Sequence, residues 1–300
     1  MHIDSILNVS IFLDIPKERM SKPFDFKNLY MRIIYGLLIF IPVCYAVYIS
    51  GFLFYAVLFI AIFVAGYEYN NMCGRWSFAL DGMVFITFII FALTSVYVQP
   101  WLFFPSVILG AILTYITSKM RAKVERNPVI PEHLNRPLFL TIGMVYLAFG
   151  FASMGYIARL EPNSITLMWV FFTVIFNDIA AYVFGSMIKG KKILPKISPN
   201  KSWSGLVAAI CFTSVVSYGF AIYNNPRNAL IVMFIGALIA IVGHTGDMLE
   251  SAVKRYLQVK DSSQIIPGHG GLLDRLDAMF LVCIFIAFIS ICVGKSPLFM

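Results

Sequence analysis

Charge is the scarcest commodity in this sequence. Of its 300 residues only 13 % are charged while 60 % are hydrophobic, and the mean hydropathy is +0.83. A soluble domain of this length needs a polar surface that so few charges cannot supply. Acidic residues are scarcest, 15 against 23 lysines and arginines, leaving a net charge of +8. In a chain this apolar, such an excess reflects basic loops held on one side of a bilayer rather than contact with nucleic acid. The five cysteines form no CxxC pair, so neither a disulfide framework nor a zinc site is indicated. No Walker motif, GxSxG or HExxH occurs, which removes the familiar NTPase, hydrolase and zinc-protease readings. Low-complexity stretches and internal repeats are also missing. Residues 1–30 are polar and lack a small-residue cleavage site, so no removable signal peptide is expected.

What the chain has instead is long apolar runs, such as Met31–Ile49 and Leu276–Val293. About 20 apolar residues in a helix span the hydrocarbon core. Backbone in lipid must satisfy its own hydrogen bonds, so these runs read as helices. The expected fold is all-α and polytopic, with about nine transmembrane helices near 31–49, 52–70, 78–98, 101–118, 138–158, 165–188, 205–223, 229–251 and 275–294. With the N-terminus in the cytoplasm, 20 of the 23 basic residues fall on the cytoplasmic side. Only Arg159, Arg227 and Lys295 fall on the other, and a missed helix would invert every later loop. Most of these cations serve orientation and contact with anionic lipid.

Two cytoplasmic loops carry more than orientation charge. Asp178 sits inside an apolar run, where a carboxylate costs roughly 2.5–3.5 kcal/mol at mid-membrane and needs a cavity, an ion or a lysine partner. Asp178, Ala181, Tyr182 and Gly185 share one helix face, followed by Lys189–Lys192 and Ser198-Pro199-Asn200-Lys201-Ser202-Trp203-Ser204-Gly205. In the second loop, Asp247, Glu250, Ser251 and Lys254 share a helix face, and Asp274 and Asp277 open the next helix. Capping could account for Asp274, but not for carboxylates on two helices beside basic residues and the glycine-rich turn Pro267–Gly271. The combination suits phosphate chemistry: carboxylates hold Mg²⁺, lysine and arginine neutralise phosphate oxygens, and glycine lets backbone N–H groups approach an anion. Glu68, near the cytoplasmic end of the second helix, either lines the cavity or, the favoured reading, is a surface carboxylate, and His2, His133 and His244 read as structural.

The stretch Ser251-x-x-Lys254-Arg255-x4-Lys260-Asp261-x5-Pro267-x-His269-Gly270-Gly271-x2-Asp274-Arg275-x-Asp277 resembles the motif of the CDP-diacylglycerol synthases, or phosphatidate cytidylyltransferases. Gly246-Asp247-x-x-Glu250-Ser251 and the block from Asp178 to Trp203 match as well, so the resemblance is strong over 175–280. One departure is Ser204, where many members carry glutamate. The resemblance implies a cytoplasmic segment 1–30 and a transmembrane cytidylyltransferase domain over 31–300 of the inner membrane, its active site facing the cytoplasm.

It further implies transfer of the cytidylyl group of CTP to phosphatidate, with Mg²⁺ as cofactor. Asp247 and Asp274 become metal ligands, with Asp277 and Asp178 as further candidates. Lys201, Lys254, Arg255, Asp261, His269 and Arg275 are the candidate catalytic residues. Ser198, Ser202, Tyr182, Ser251, Gly270 and Gly271 are the candidate substrate contacts. His269 either donates to a phosphate or fixes the turn. The expected partners are CTP and membrane phosphatidate, without nucleic acid and with a homodimer left open. Two other readings remain: a CTP-dependent transferase with an ether-lipid or polyprenyl acceptor, and an ion-coupled transporter in which Asp178, Asp247 and Glu250 relay charge.

Overall fold

The computed structural model describes residue 38 and residues 40–49, 51–73, 80–124, 135–265 and 270–300. Segment 1–30, the beginning of the first expected helix and His269 lie outside the described residues. Among the described residues nine α-helices follow one another: α1 (Phe40–Ile49), α2 (Gly51–Met72), α3 (Leu80–Val98), α4 (Phe103–Val124), α5 (Arg136–Ala158), α6 (Ile165–Ile188), α7 (Trp203–Asn224), α8 (Ala229–Tyr256) and α9 (Leu273–Val293). Among the described residues seven are long and apolar enough to cross a membrane. Shorter apolar stretches, Phe40–Ile49 and Asp81–Val96, lie in α1 and α3. Each helix falls on one of the expected segments.

Local chemistry sets several ends. Asn135 accepts from Leu138 N–H at the start of α5, and Pro137 occupies a first-turn position where no N–H is needed. Gly294 ends α9 with φ +77°, donating its N–H to Ser290 O. The hydropathy pattern gave no sign of one further element. Between α6 and α7, β1 (Lys192–Leu194) pairs antiparallel with β2 (Ser198–Ser202), matching Lys192 to Ser202 and Leu194 to Ser198. This short hairpin leaves the molecule helical.

Helices α3, α4 and α5 pack on one another, as do α6, α7 and α8, while α9 lies against both α8 and α5. Their shared core includes Phe85, Leu140, Leu147, Phe151, Trp169 and Phe280, all fully buried. Small residues set the spacing, as expected where lipid supplies no hydrophobic drive between helices. Phe280 fills the space beside Gly150, whose added Cβ would lie 2.3 Å from its ring. At 28 residues, α8 is about 42 Å long against a hydrocarbon core of about 30 Å, so one end stands clear of the apolar layer.

The even-numbered helices α2, α4, α6 and α8 end where α3, α5, α7 and α9 begin, and the polar side chains concentrate there. Buried Asp81 on α3 binds Arg121 of α4 at 2.9 Å and Arg136 of α5 at 3.3 Å. Both arginines were expected to serve orientation; instead they lock three helix ends together.

Candidate active site

The site begins with close helix approaches. A Cβ on Gly246 of α8 would lie 2.8 Å from Asp277 O of α9, so glycine is required for the two backbones to meet here. That contact sets Asp247 level with Asp277. Across α6 and α7, Gly205 sits against Ala181 O at 2.7 Å, measured to its added Cβ, bringing the end of β2 to α6. Lys201 on β2 thereby reaches Asp247 and pairs with its Oδ2.

The charged groups form two levels. In the inner one, the charges of Asp178 (α6), Asp247 (α8) and Asp277 (α9) act on one another, with Lys201 and Arg275 as the opposing cations. In the outer one, Lys254 Nζ lies 2.7 Å from Asp274 Oδ1 and 3.0 Å from Glu250 Oε1. The sequence suggested one ion shared by Asp247 and Asp274. The structure brings their segments together but sets Asp274 on the outer level. Its carboxylate is already engaged, accepting from Lys254, from Gly271 N–H at 2.9 Å and from Ser262 N–H at 3.0 Å.

Glu68 has a larger part than the favoured sequence reading gave it. It is fully buried rather than a surface carboxylate. Its Oε1 accepts from Ser263 Oγ at 2.6 Å and Leu272 N–H at 2.9 Å; its Oε2 accepts from Leu273 N–H at 2.7 Å and Ser262 Oγ at 3.4 Å. A carboxylate from α2 thus satisfies free N–H groups at the start of α9 and is favoured by the helix dipole. The same contacts hold the α8–α9 loop. Gly270 (φ +83°) and Gly271 are needed here for space: a Cβ on Gly271 would fall 2.0 Å from Ser262 Oγ and 2.7 Å from Glu68 Oε1. The run of apolar residues around Glu68 was the only signal in the sequence, since a carboxylate so placed needs partners.

The other expected residues are distributed as follows. Ser202 is buried and caps α7, its Oγ accepting from Gly205 N–H at 3.2 Å. Ser204, at the family's glutamate position, accepts from Gly190 N–H at 3.2 Å and lies 3.1 Å from Ser202 Oγ. Ser198, Ser251 and Arg255 are half-buried on β2 and α8. Tyr182 and Asp261 are exposed, with no hydrogen bond or ion pair to the described residues, and are not drawn into either level. His244, one turn inward from Asp247, is buried with Nδ1 lacking a hydrogen-bond partner.

Among the described residues no three His, Cys, Asp or Glu side chains close into a metal cage. The donor chemistry nevertheless fits Mg²⁺, which usually takes one or two carboxylates and completes its shell with water and phosphate. Of the three inner carboxylates, Asp247 is the one paired with Lys201. Among the described residues nothing donates a hydrogen bond to buried Asn177 Oδ1 or to either oxygen of Glu250, despite the proximity of Lys254. Asp247, Asp277 and Asp178 are the residues that would hold the ion.

A profile of the cytidylyltransferase family matches residues 30–293. Among individual proteins, the uncharacterized protein YnbB of Escherichia coli is 41 % identical over 117 residues, 39 % of this chain and 39 % of that protein. A phosphatidate cytidylyltransferase of Rickettsia felis is 34 % identical over 160 residues, 51 % of this chain and 70 % of its own. One from Bacillus subtilis is 33 % identical over 153 residues, 50 % and 57 % of the respective chains. The matched stretches therefore span from about two fifths to just over two thirds of these relatives.

Proposed function

The chain belongs to the cytidylyltransferase family, and from that premise we propose that it transfers the cytidylyl group of CTP to phosphatidate, releasing pyrophosphate and forming CDP-diacylglycerol. The observation that carries this reading is the gathering of lysines and carboxylates at one end of a membrane-spanning bundle. A soluble nucleotide reaches such a site from water, and a lipid phosphate reaches the same depth from one leaflet. The excess of basic residues in the loops at this end supports a cytoplasmic face for the site, in a protein of the inner membrane. A transporter would need charged groups continuing through the bundle toward the opposite end, where the sequence places only Arg159, Arg227 and Lys295 of its 23 basic residues.

In the reaction, an oxygen of the lipid phosphate attacks the α-phosphorus of CTP, and the bond from that phosphorus to the bridging β-oxygen breaks. The attacking phosphate is already an anion, so no strong general base is required. The barrier lies in bringing polyanions together and in the charge on the departing pyrophosphate. Lys201 and Lys254 leave their carboxylate partners for phosphate oxygens, while Arg255 and Arg275 add positive charge at the rim. Mg²⁺, when bound, neutralises charge on the triphosphate and on the leaving group. Glu68 holds the loop from which Gly271 N–H and Asp274 project. Purified protein offered CTP with phosphatidate, an ether-linked phosphatidate or a polyprenyl phosphate should convert the first. Conversion of a polyprenyl phosphate alone would replace this reading with the other acceptor class.

A further inference from the structure

The hairpin joining α6 to α7 does two things at once. On its inward side, Lys201 enters the carboxylate site. On its outward side, Lys189, Lys191 and Lys196 are exposed, and their ammonium groups have no hydrogen bond or ion pair with the described residues. No acidic residue occurs anywhere between Asp178 and Asp247, so the hairpin's own charge has one sign. Exposed apolar side chains flank these lysines: Met187 and Ile188 end α6, Leu194 lies on β1, and Trp203 opens α7. Cations mixed with apolar and indole side chains directly beside two membrane spans match the headgroup layer.

We propose that this hairpin is a docking surface for anionic lipid headgroups, with the phosphomonoester of phosphatidate as its preferred occupant, held at the mouth of the site. The inference rests on the proposed acceptor and goes beyond it by assigning the residues that gather it. Orientation during insertion requires only that lysines be present in this loop. The pairing of β1 with β2 goes further: Lys191 directly precedes β1, its O accepting from Trp203 N–H, and Lys196 lies in the turn between the strands, while Lys201 on β2 is inside the site. Lys196 at the turn and Lys201 are five positions apart, at most about 16 Å along an extended chain, so a bound headgroup lies near the reacting groups. Lys189 also adopts φ +51°, a left-handed conformation that glycine or asparagine would take more readily at a helix end. The phosphomonoester suits three lysines because it carries more charge than a phosphodiester and presents more oxygens.

The test uses the full chain in phosphatidylcholine nanodiscs, comparing the wild type with Lys189→Gln/Lys191→Gln/Lys196→Gln and with the matching triple arginine variant. Lys192 is left in place because its Nζ donates to Asn200 O within the hairpin. Spin-labelled phosphatidate and phosphatidylcholine report lipid association without turnover. The wild type should retain phosphatidate selectively. The glutamine variant should lose on the order of tenfold in relative association. The arginine variant should keep the selectivity, and high salt should erase it. In turnover, the glutamine variant should raise KM for phosphatidate and leave kcat and KM for CTP unchanged. Equal lipid association in the wild type and glutamine variant overturns the inference, as does equal loss in the arginine variant. Equal retention of spin-labelled phosphatidylglycerol overturns the assignment to phosphatidate. Failure of the proposed reaction would look different: lipid selectivity intact, no nucleotide transferred.

Discussion

Substituting Glu68 with alanine would strip the start of α9 of its acceptors while leaving the apolar contacts of α2 in place. Three of the four hydrogen bonds it accepts are 2.9 Å or shorter: those from Ser263, Leu272 and Leu273. Hydrogen bonds to a charged group contribute about 1.5–3 kcal/mol each. Simple addition would overstate the loss, because water entering the vacated space would rescue some donors. A local cost of about 3–4 kcal/mol is expected for opening the α8–α9 loop. Hydrogen–deuterium exchange of the protein in detergent should then show amides of residues 257–273 exchanging about 100- to 1,000-fold faster. Protection in α6 and α7 should be unchanged. Glu68→Gln keeps the shape and one carbonyl oxygen and should fall between the two. Wild-type protection of the loop in the alanine variant would refute the anchoring role.

Further expectations follow from the same geometry. Asp247→Asn should abolish turnover without altering exchange in the α8–α9 loop, whereas Asp274→Asn should abolish turnover and also loosen that loop, since Asp274 accepts from Gly271 and Ser262. Near-normal turnover in either variant would remove that residue from the site. Asp81→Asn should lower thermal stability in detergent by about 3–5 kcal/mol, because it removes the buried negative charge that Arg121 and Arg136 both bind; an unchanged melting temperature would contradict the locking role. A single cysteine placed at position 192, in a chain without its native cysteines, should resist an impermeant reagent in intact cells. Labelling there would invert the topology.

The helices were legible because spanning a bilayer demands long apolar runs, and these stand out without any knowledge of contacts. The gathering of charge at one end was legible for a related reason, since loop lysines and helix alternation must agree. The motif around Asp247 and Asp274 revealed which segments meet, but not how. Whether two carboxylates share a level depends on helix phase and on the contact at Gly246, and this separates Asp274 from Asp247. Glu68 was misread because its partners lie 194–205 residues away, beyond any periodicity argument. Asp81 and its arginines escaped for the same reason, at separations of 40 and 55 residues. The hairpin gave no signal because Lys192–Ser202 has neither alternating apolar residues nor a glycine-based turn.

The central claim is cytidylyl transfer to a lipid phosphate, and the position of an isotopic label tests it most directly. Purified protein, Mg²⁺ and phosphatidate are incubated with CTP labelled at the α-phosphate and, separately, at the γ-phosphate. Alpha label should enter the lipid phase as CDP-diacylglycerol and gamma label should leave as pyrophosphate, with EDTA stopping both. Gamma label in the lipid would show phosphoryl transfer instead, and no label in any lipid from folded protein would contradict the account.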